Sequence, residues 1–238
     1  MDSANALSYM HPEPPRDTSP AVLAAFERLW AQALAAPGVE LAYDLPAAKW
    51  EFLAWLVETQ PVVFHGTSRL DLAVIEPRAA NDVRDFSAQT AIYAAADGIW
   101  GIFFAILNRT QMAMGLFNSV VRVRPPGQPF SPPFYFFSID REALERGPYC
   151  DGMVYVLPRD GFVQDPMQDF GGVEISIPQW AGHKPMPPLA RLRVSPVDFP
   201  FLSQVRAHDH AVLVERMARD PNGFPWVDEM QPPISSAS

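Results

Sequence analysis

The sequence predicts an α+β protein in which N-terminal helices precede a mixed, mostly antiparallel sheet. Three observations carry this. Apolar residues recur at helical spacing from Val22 to Leu34, ahead of any strand-like run. Short β-branched and aromatic runs then dominate, among them Val62-Val63-Phe64, Ala91-Ile92-Tyr93 and Phe134-Tyr135-Phe136-Phe137. These runs follow one another without regular helical crossovers, which argues against a doubly wound fold.

Residues 1–18 carry Pro12, Pro14 and Pro15 and read as a flexible tail. Residues 19–60 read as a helical N-terminal segment. Ser19-Pro20 is a helix opening, a cap followed by proline at the first helical position. Val22, Leu23, Phe26, Leu29, Trp30, Ala33 and Leu34 form its apolar stripe, and Pro37-Gly38 stops it. A second helix begins near Pro46, with Trp50, Leu53 and Val57 on one face. Both segments' tryptophans are read as core.

Residues 61–220 form the main domain. The run Val62 to His65 is a buried strand ending on a histidine and a glycine. Thr90 to Ala94 is a second strand. Asp97 then stands where an N-cap belongs, before an apolar segment reaching Asn108. That segment falls short of the roughly 20 apolar residues a membrane span needs, so it is a buried core helix and no membrane contact is expected. Strands follow over 114–124, 134–138, 152–157, 172–177 and 189–194. Asp140 caps a short helix over 141–146, Pro158-Arg159-Asp160-Gly161 is a turn, and 196–200 is another. An amphipathic helix over 209–219 closes the domain, and 221–238 is a C-terminal tail. The 26 prolines cluster between aromatic strands, as extended connectors do.

A net charge of -9 weighs against a nucleic-acid partner, which needs a basic face. The single cysteine, Cys150, excludes an intrachain disulfide framework, and a reducing cytoplasm is the expected location. The N-terminus has no basic and apolar leader pattern. Metal chemistry is not expected: His208-Asp209-His210 is closely spaced, but no second carboxylate cluster accompanies it. Neither a phosphate-binding glycine loop nor a G-x-S-x-G nucleophile turn occurs. A lone cysteine reads as a small core residue. What survives is the pair His65 and Tyr93, each at the end of a strand, one of which feeds a buried helix, expected on adjacent strands and facing one pocket.

The segment F-H-G-T-S, a gap, and A-I-Y-A-A-A-D before a helix resemble the ADP-ribosyltransferase superfamily, in its poly(ADP-ribose)-polymerase-like and diphtheria-toxin-like branch. The resemblance covers about fifty residues and implies a sheet of that type with NAD as substrate. It implies that His65, Gly66 and Thr67 bind NAD and that Tyr93 faces the nicotinamide ring. Arg78 falls where a basic residue meets the adenylate side. The family's third position, a late glutamate, has three candidates here, Glu174, Gln179 and His183, with the matching spacing nearer Gln179 to Lys184. The implied activity is ADP-ribosyl transfer to an unknown protein or small acceptor, or NAD hydrolysis. Two alternatives stay open: a non-catalytic ligand-binding or interaction protein, and a nucleotide or RNA phosphotransferase-like enzyme using Arg78, Arg84, Arg122 and Arg124.

Overall fold

A computed structural model describes residues 7–79, 85–170, 172–220, 223–227 and 230–231. Strand β1 (His11–Pro12) lies ahead of helices α1 (Pro20–Ala35) and α2 (Lys49–Thr59). Pro20 occupies the first turn of α1, where its missing N–H costs nothing. Phe26, Leu29, Trp30 and Ala33 are its buried stripe. In α2 the Glu51 carboxylate accepts the Ala48 N–H at 3.2 Å, and its other oxygen accepts the Asp17 N–H at 2.8 Å. One side chain thus closes the helix start and ties the N-terminal segment down.

β2 (Val62–Thr67), β3 (Arg78–Ala79) and β4 (Thr90–Ala95) lead into α3 (Gly98–Ala105). β5 (Leu116–Arg124) and β6 (Phe134–Asp140) make a hairpin, followed by the short helix α4 (Arg141–Glu145). Then come β7 (Gly152–Pro158), β8 (Phe162–Gln164), β9 (Gln168–Phe170), β10 (Val173–Ser176), β11 (Gln179–Gly182) and β12 (Ala190–Val194). β13 (Arg206–His208), α5 (His210–Arg219) and β14 (Met230–Gln231) end the described chain.

The α+β class is as expected, but the strands form two sheets. One runs β14-β13-β6-β5-β10-β9 with β1 beside β6; the other runs β12-β7-β2-β4-β11-β8 with β3 beside β4. The pairings are antiparallel except β13 with β6. A sequence of alternating strands does not reveal which hairpin leaves a sheet, and here β5 and β6 do.

α3 sits between the sheets. Asp97 caps it by accepting the Trp100 N–H at 2.8 Å, and its other oxygen accepts the Tyr135 hydroxyl proton at 2.7 Å from β6. Phe103, fully buried, packs on Phe137 of the first sheet at 4.6 Å between ring centroids. On its other side α3 presses onto the second sheet. A Cβ on Gly66 would lie 2.0 Å from the Gly101 carbonyl oxygen, and one on Gly152 would lie 1.9 Å from that of Ala105. Only glycine permits so close an approach of helix and strand. Trp100 and Leu107 are buried as the sequence suggests, while Phe104 stays partly exposed.

One cluster of buried residues runs from Met10 through both N-terminal helices and both sheets to Met230. Residues 19–60 therefore share the core of residues 61–220. The expected tail is corrected too: from residue 7 on it packs against the body, with Met10 buried and His11 paired to Tyr135. In the expected C-terminal tail, Trp226 and Met230 are buried, and β14 pairs with β13. No helix among the described residues is long and apolar enough to cross a membrane.

Candidate functional site

β2 is paired to β7 along all six of its residues, yet to β4 only at Phe64 with Ala95. β11 occupies the other edge of β4 from Ile92 to Ala95. β3 joins β4 further along, at Arg78 with Ala91 and Ala79 with Thr90. Beyond Phe64 the β2–β4 ladder is unpaired at Ile92, Tyr93 and Ala94, a notch in the strand pairing. His65 reaches across it: Nδ1 lies 2.8 Å from the Tyr93 carbonyl oxygen.

That contact sets the tautomer. A carbonyl only accepts, so the His65 proton resides on Nδ1 and Nε2 is left as an acceptor. Burial lowers the His65 pKa, and the guanidinium charges of Arg78 and Arg109 lower it further, against the opposing effect of the Tyr93 carbonyl. His65 is thus neutral at physiological pH, with two cations close enough to bias it. Arg78 is exposed on β3, and Arg109 is exposed just after α3. Arg109 carries no sequence signal, because it sits in no motif and becomes a neighbour of His65 only through the packing of α3.

The two sequence-selected rings are on adjacent strands but do not face one pocket. With Phe64 opposite Ala95, the residue opposite Tyr93 is Gly66, and alternation turns His65 and Tyr93 to opposite faces. Val63, Ile92 and Ala94 pack in the smaller cluster on the His65 side; Phe64 and Ala95 pack in the main core on the other. The half-buried Tyr93 shares its face with Gly66. Its hydroxyl accepts the Gln89 N–H at 2.9 Å and has the Phe86 and Gln89 carbonyls at 3.1 and 3.2 Å. It thereby pins the turn before β4. Thr67 ends β2, its hydroxyl accepting the Arg69 N–H at 3.3 Å.

The third-position candidates separate. Gln179 opens β11 opposite Ala95, in the same sheet as His65 and on the face of Tyr93, with its carbonyl held by the Asp165 N–H at 2.9 Å. His183 is exposed beyond the far end of β11, its Nδ1 3.1 Å from the Thr90 carbonyl. Glu174 belongs to β10 of the other sheet and forms an ion pair with Arg124 at 2.6 Å. It is therefore removed from the notch. Spacing in the chain cannot tell which of two sheets a late strand joins.

The arginines do not converge either. Arg78 borders the notch, and Arg124 is engaged with Glu174. Arg122 lines a small solvent-open recess with Glu13, Glu58, Asp97 and Tyr135. Arg84 lies outside the described residues. Cys150 is a free, half-buried thiol whose pKa is pushed up by burial and by Asp151, the opposite of an activated nucleophile. No three His, Cys, Asp or Glu among the described residues are grouped to hold a metal ion. His208 lies on a strand and only Asp209 and His210 belong to the helix start. No family model, no curated protein and no solved structure matches this chain.

Proposed function

We propose that this chain binds NAD across the β2–β4 notch and breaks its nicotinamide–ribose bond, passing ADP-ribose to an acceptor or to water. The observation that carries the reading is His65 spanning the open ladder with Nε2 left as an acceptor. A ribose hydroxyl is the donor such a nitrogen suits. Arg78 and Arg109, both close enough to bias His65, give the notch a cationic rim matched to a pyrophosphate. Tyr93 and Gly66 lie on the other face, where α3 covers Gly66 and the Tyr93 hydroxyl pins the turn before β4, so neither is given the nicotinamide.

In the reaction the C–N bond breaks and nicotinamide leaves with the electron pair. The ribose carbon gains positive charge and takes a lone pair from the acceptor, whose proton goes to solvent. Gln179 is the third-position candidate in the same sheet, on the strand beyond β4, but on the face opposite His65, so it meets that charge only through the open ladder. Its amide oxygen offers a dipole where a carboxylate would offer a full charge, so turnover is expected to be slow. Nicotinamide release from NAD, followed for wild type and Gln179→Glu, tests this. The expected result is slow release that rises about tenfold or more in the variant, a lowering of the barrier by roughly 1.4 kcal/mol. Bound NAD with no release by either protein rejects the catalytic part. The second reading, a binding module without turnover, is favoured by one observation: Glu174 lies in the other sheet.

A further inference from the structure

The C-terminal part of the chain joins the first sheet through a short ladder and through Phe224 and Trp226, which pack on Phe117 and Phe136. β13 offers only Arg206–His208 to Ser138–Asp140 of β6. β14 is paired to β13, and α5 buries only Leu213 of its own described side chains. Side-chain bonds beside this ladder therefore weigh heavily in holding α5.

Those bonds run in file from the interior to the surface. Ser138 and His208 are both completely buried. The Ser138 hydroxyl donates to the Arg206 carbonyl at 3.1 Å and lies 2.7 Å from His208 Nδ1. His208 Nε2 lies 3.4 Å from Nδ1 of His210, the exposed first residue of α5. The His210 ring rests on Gly115, where an added Cβ would meet it at 2.4 Å. With the serine proton on the Arg206 carbonyl, His208 donates through Nδ1 and accepts at Nε2 from His210. Each link then holds one proton. One more fits on His210, whose Nδ1 still donates. A second does not: both facing nitrogens would carry hydrogen, and two positive rings would lie with centroids 5.7 Å apart.

The charges around the file bear on where protons go. Asp140 on β6 and Asp209 at the cap of α5 favour a proton on His208, while burial and His210 oppose it. Arg206 is on β13 itself, Arg141 and Glu142 begin the helix that packs beside β13, and the residue of β14 opposite His208 is Met230. Burial prevails and holds the His208 pKa down at about 4. A depressed histidine contributes stability that is complete above 6.5 and is lost as pH falls from 6.5 through about 4.

We propose that Ser138, His208 and His210 form a proton-operated clasp, closed while at most one imidazole is charged and opened when both are, which frees α5 from the first sheet in acid. Hydrogen exchange of the full chain, corrected for intrinsic rates and read separately in α5 and in β7, tests it between 6.5 and about 4. The expected result is loss of protection in α5 while β7 stays protected. His210→Ala removes at an exposed position the smaller of the two effects that oppose a proton on His208, so α5 is expected to lose protection at a lower pH than in the wild type. Protection in α5 that persists in the wild type, falls only together with β7, or falls equally in His210→Ala overturns the proposal.

Discussion

Replacing Asp97 separates its two roles at the corner behind the notch. Its carboxylate accepts the Trp100 N–H at 2.8 Å as the cap of α3 and the Tyr135 hydroxyl at 2.7 Å across the sheets. In Asp97→Ala the lost cap costs about 0.5–2 kcal/mol. The Tyr135 hydroxyl, left unpaired inside, costs about 1–3 kcal/mol more. Against this stands the buried charge itself. Burial raises the Asp97 pKa, outweighing the hydrogen bonds and Arg122 that lower it. Because the folded pKa is raised, the stability this group contributes is full below its ordinary value of 3.8 and is lost as pH rises through the folded value. Asp97→Asn keeps an acceptor for Trp100, turns its amide N–H toward the tyrosine oxygen, and carries no charge. Urea unfolding at neutral pH is therefore expected to show Asp97→Ala destabilised by roughly 2–4 kcal/mol. Asp97→Asn is expected near or above wild type, with a flatter dependence on pH. Equal stability of the two variants would rule out separate roles for the two Asp97 oxygens.

Phe103→Ala empties a fully buried site against Phe137 and is expected to cost about 3–5 kcal/mol, read from the urea midpoint. Gly66→Ala forces a methyl against the Gly101 carbonyl, a backbone atom that cannot rotate away, so α3 must shift off β2; a fall in Tm together with loss of NAD binding is expected, and an unchanged Tm contradicts the packing argument. Glu174→Gln breaks only a half-exposed pair with Arg124, so NAD binding and thermal unfolding are both expected to match wild type. A loss of NAD binding there would return Glu174 to the site.

Much of the architecture is legible because its signals are local. Pro20, Asp97 and Asp140 mark the starts of α1, α3 and α4 within three residues, although Ser19, expected as a cap, makes no side-chain capping bond. The longer strands carry their own β-branched and aromatic runs. What the sequence hides is set by distant partners. β11 spans four residues between Pro178 and His183 and has no pattern long enough to read. β1 and β13 are strands only because β6 offers them an edge. The candidate site divides in the same way. His65 and Tyr93 lie on neighbouring strands, as their apolar runs suggest, but their faces depend on the pairing of Phe64 with Ala95, which no spacing encodes. The assignment of Glu174 to the other sheet and the approach of Arg109 to His65 likewise come from packing over many tens of residues.

Binding of NAD at the open ladder beside His65 is read by calorimetric titration of NAD into wild type and His65→Ala, with thermal unfolding of both proteins as the control. Loss of the Nε2 acceptor leaves a buried ribose hydroxyl unpaired, about 1–3 kcal/mol, so the variant is expected to bind roughly five- to hundredfold more weakly while remaining folded. Equal affinity in the two folded proteins, or no heat of binding in the wild type, would exclude an NAD site at His65.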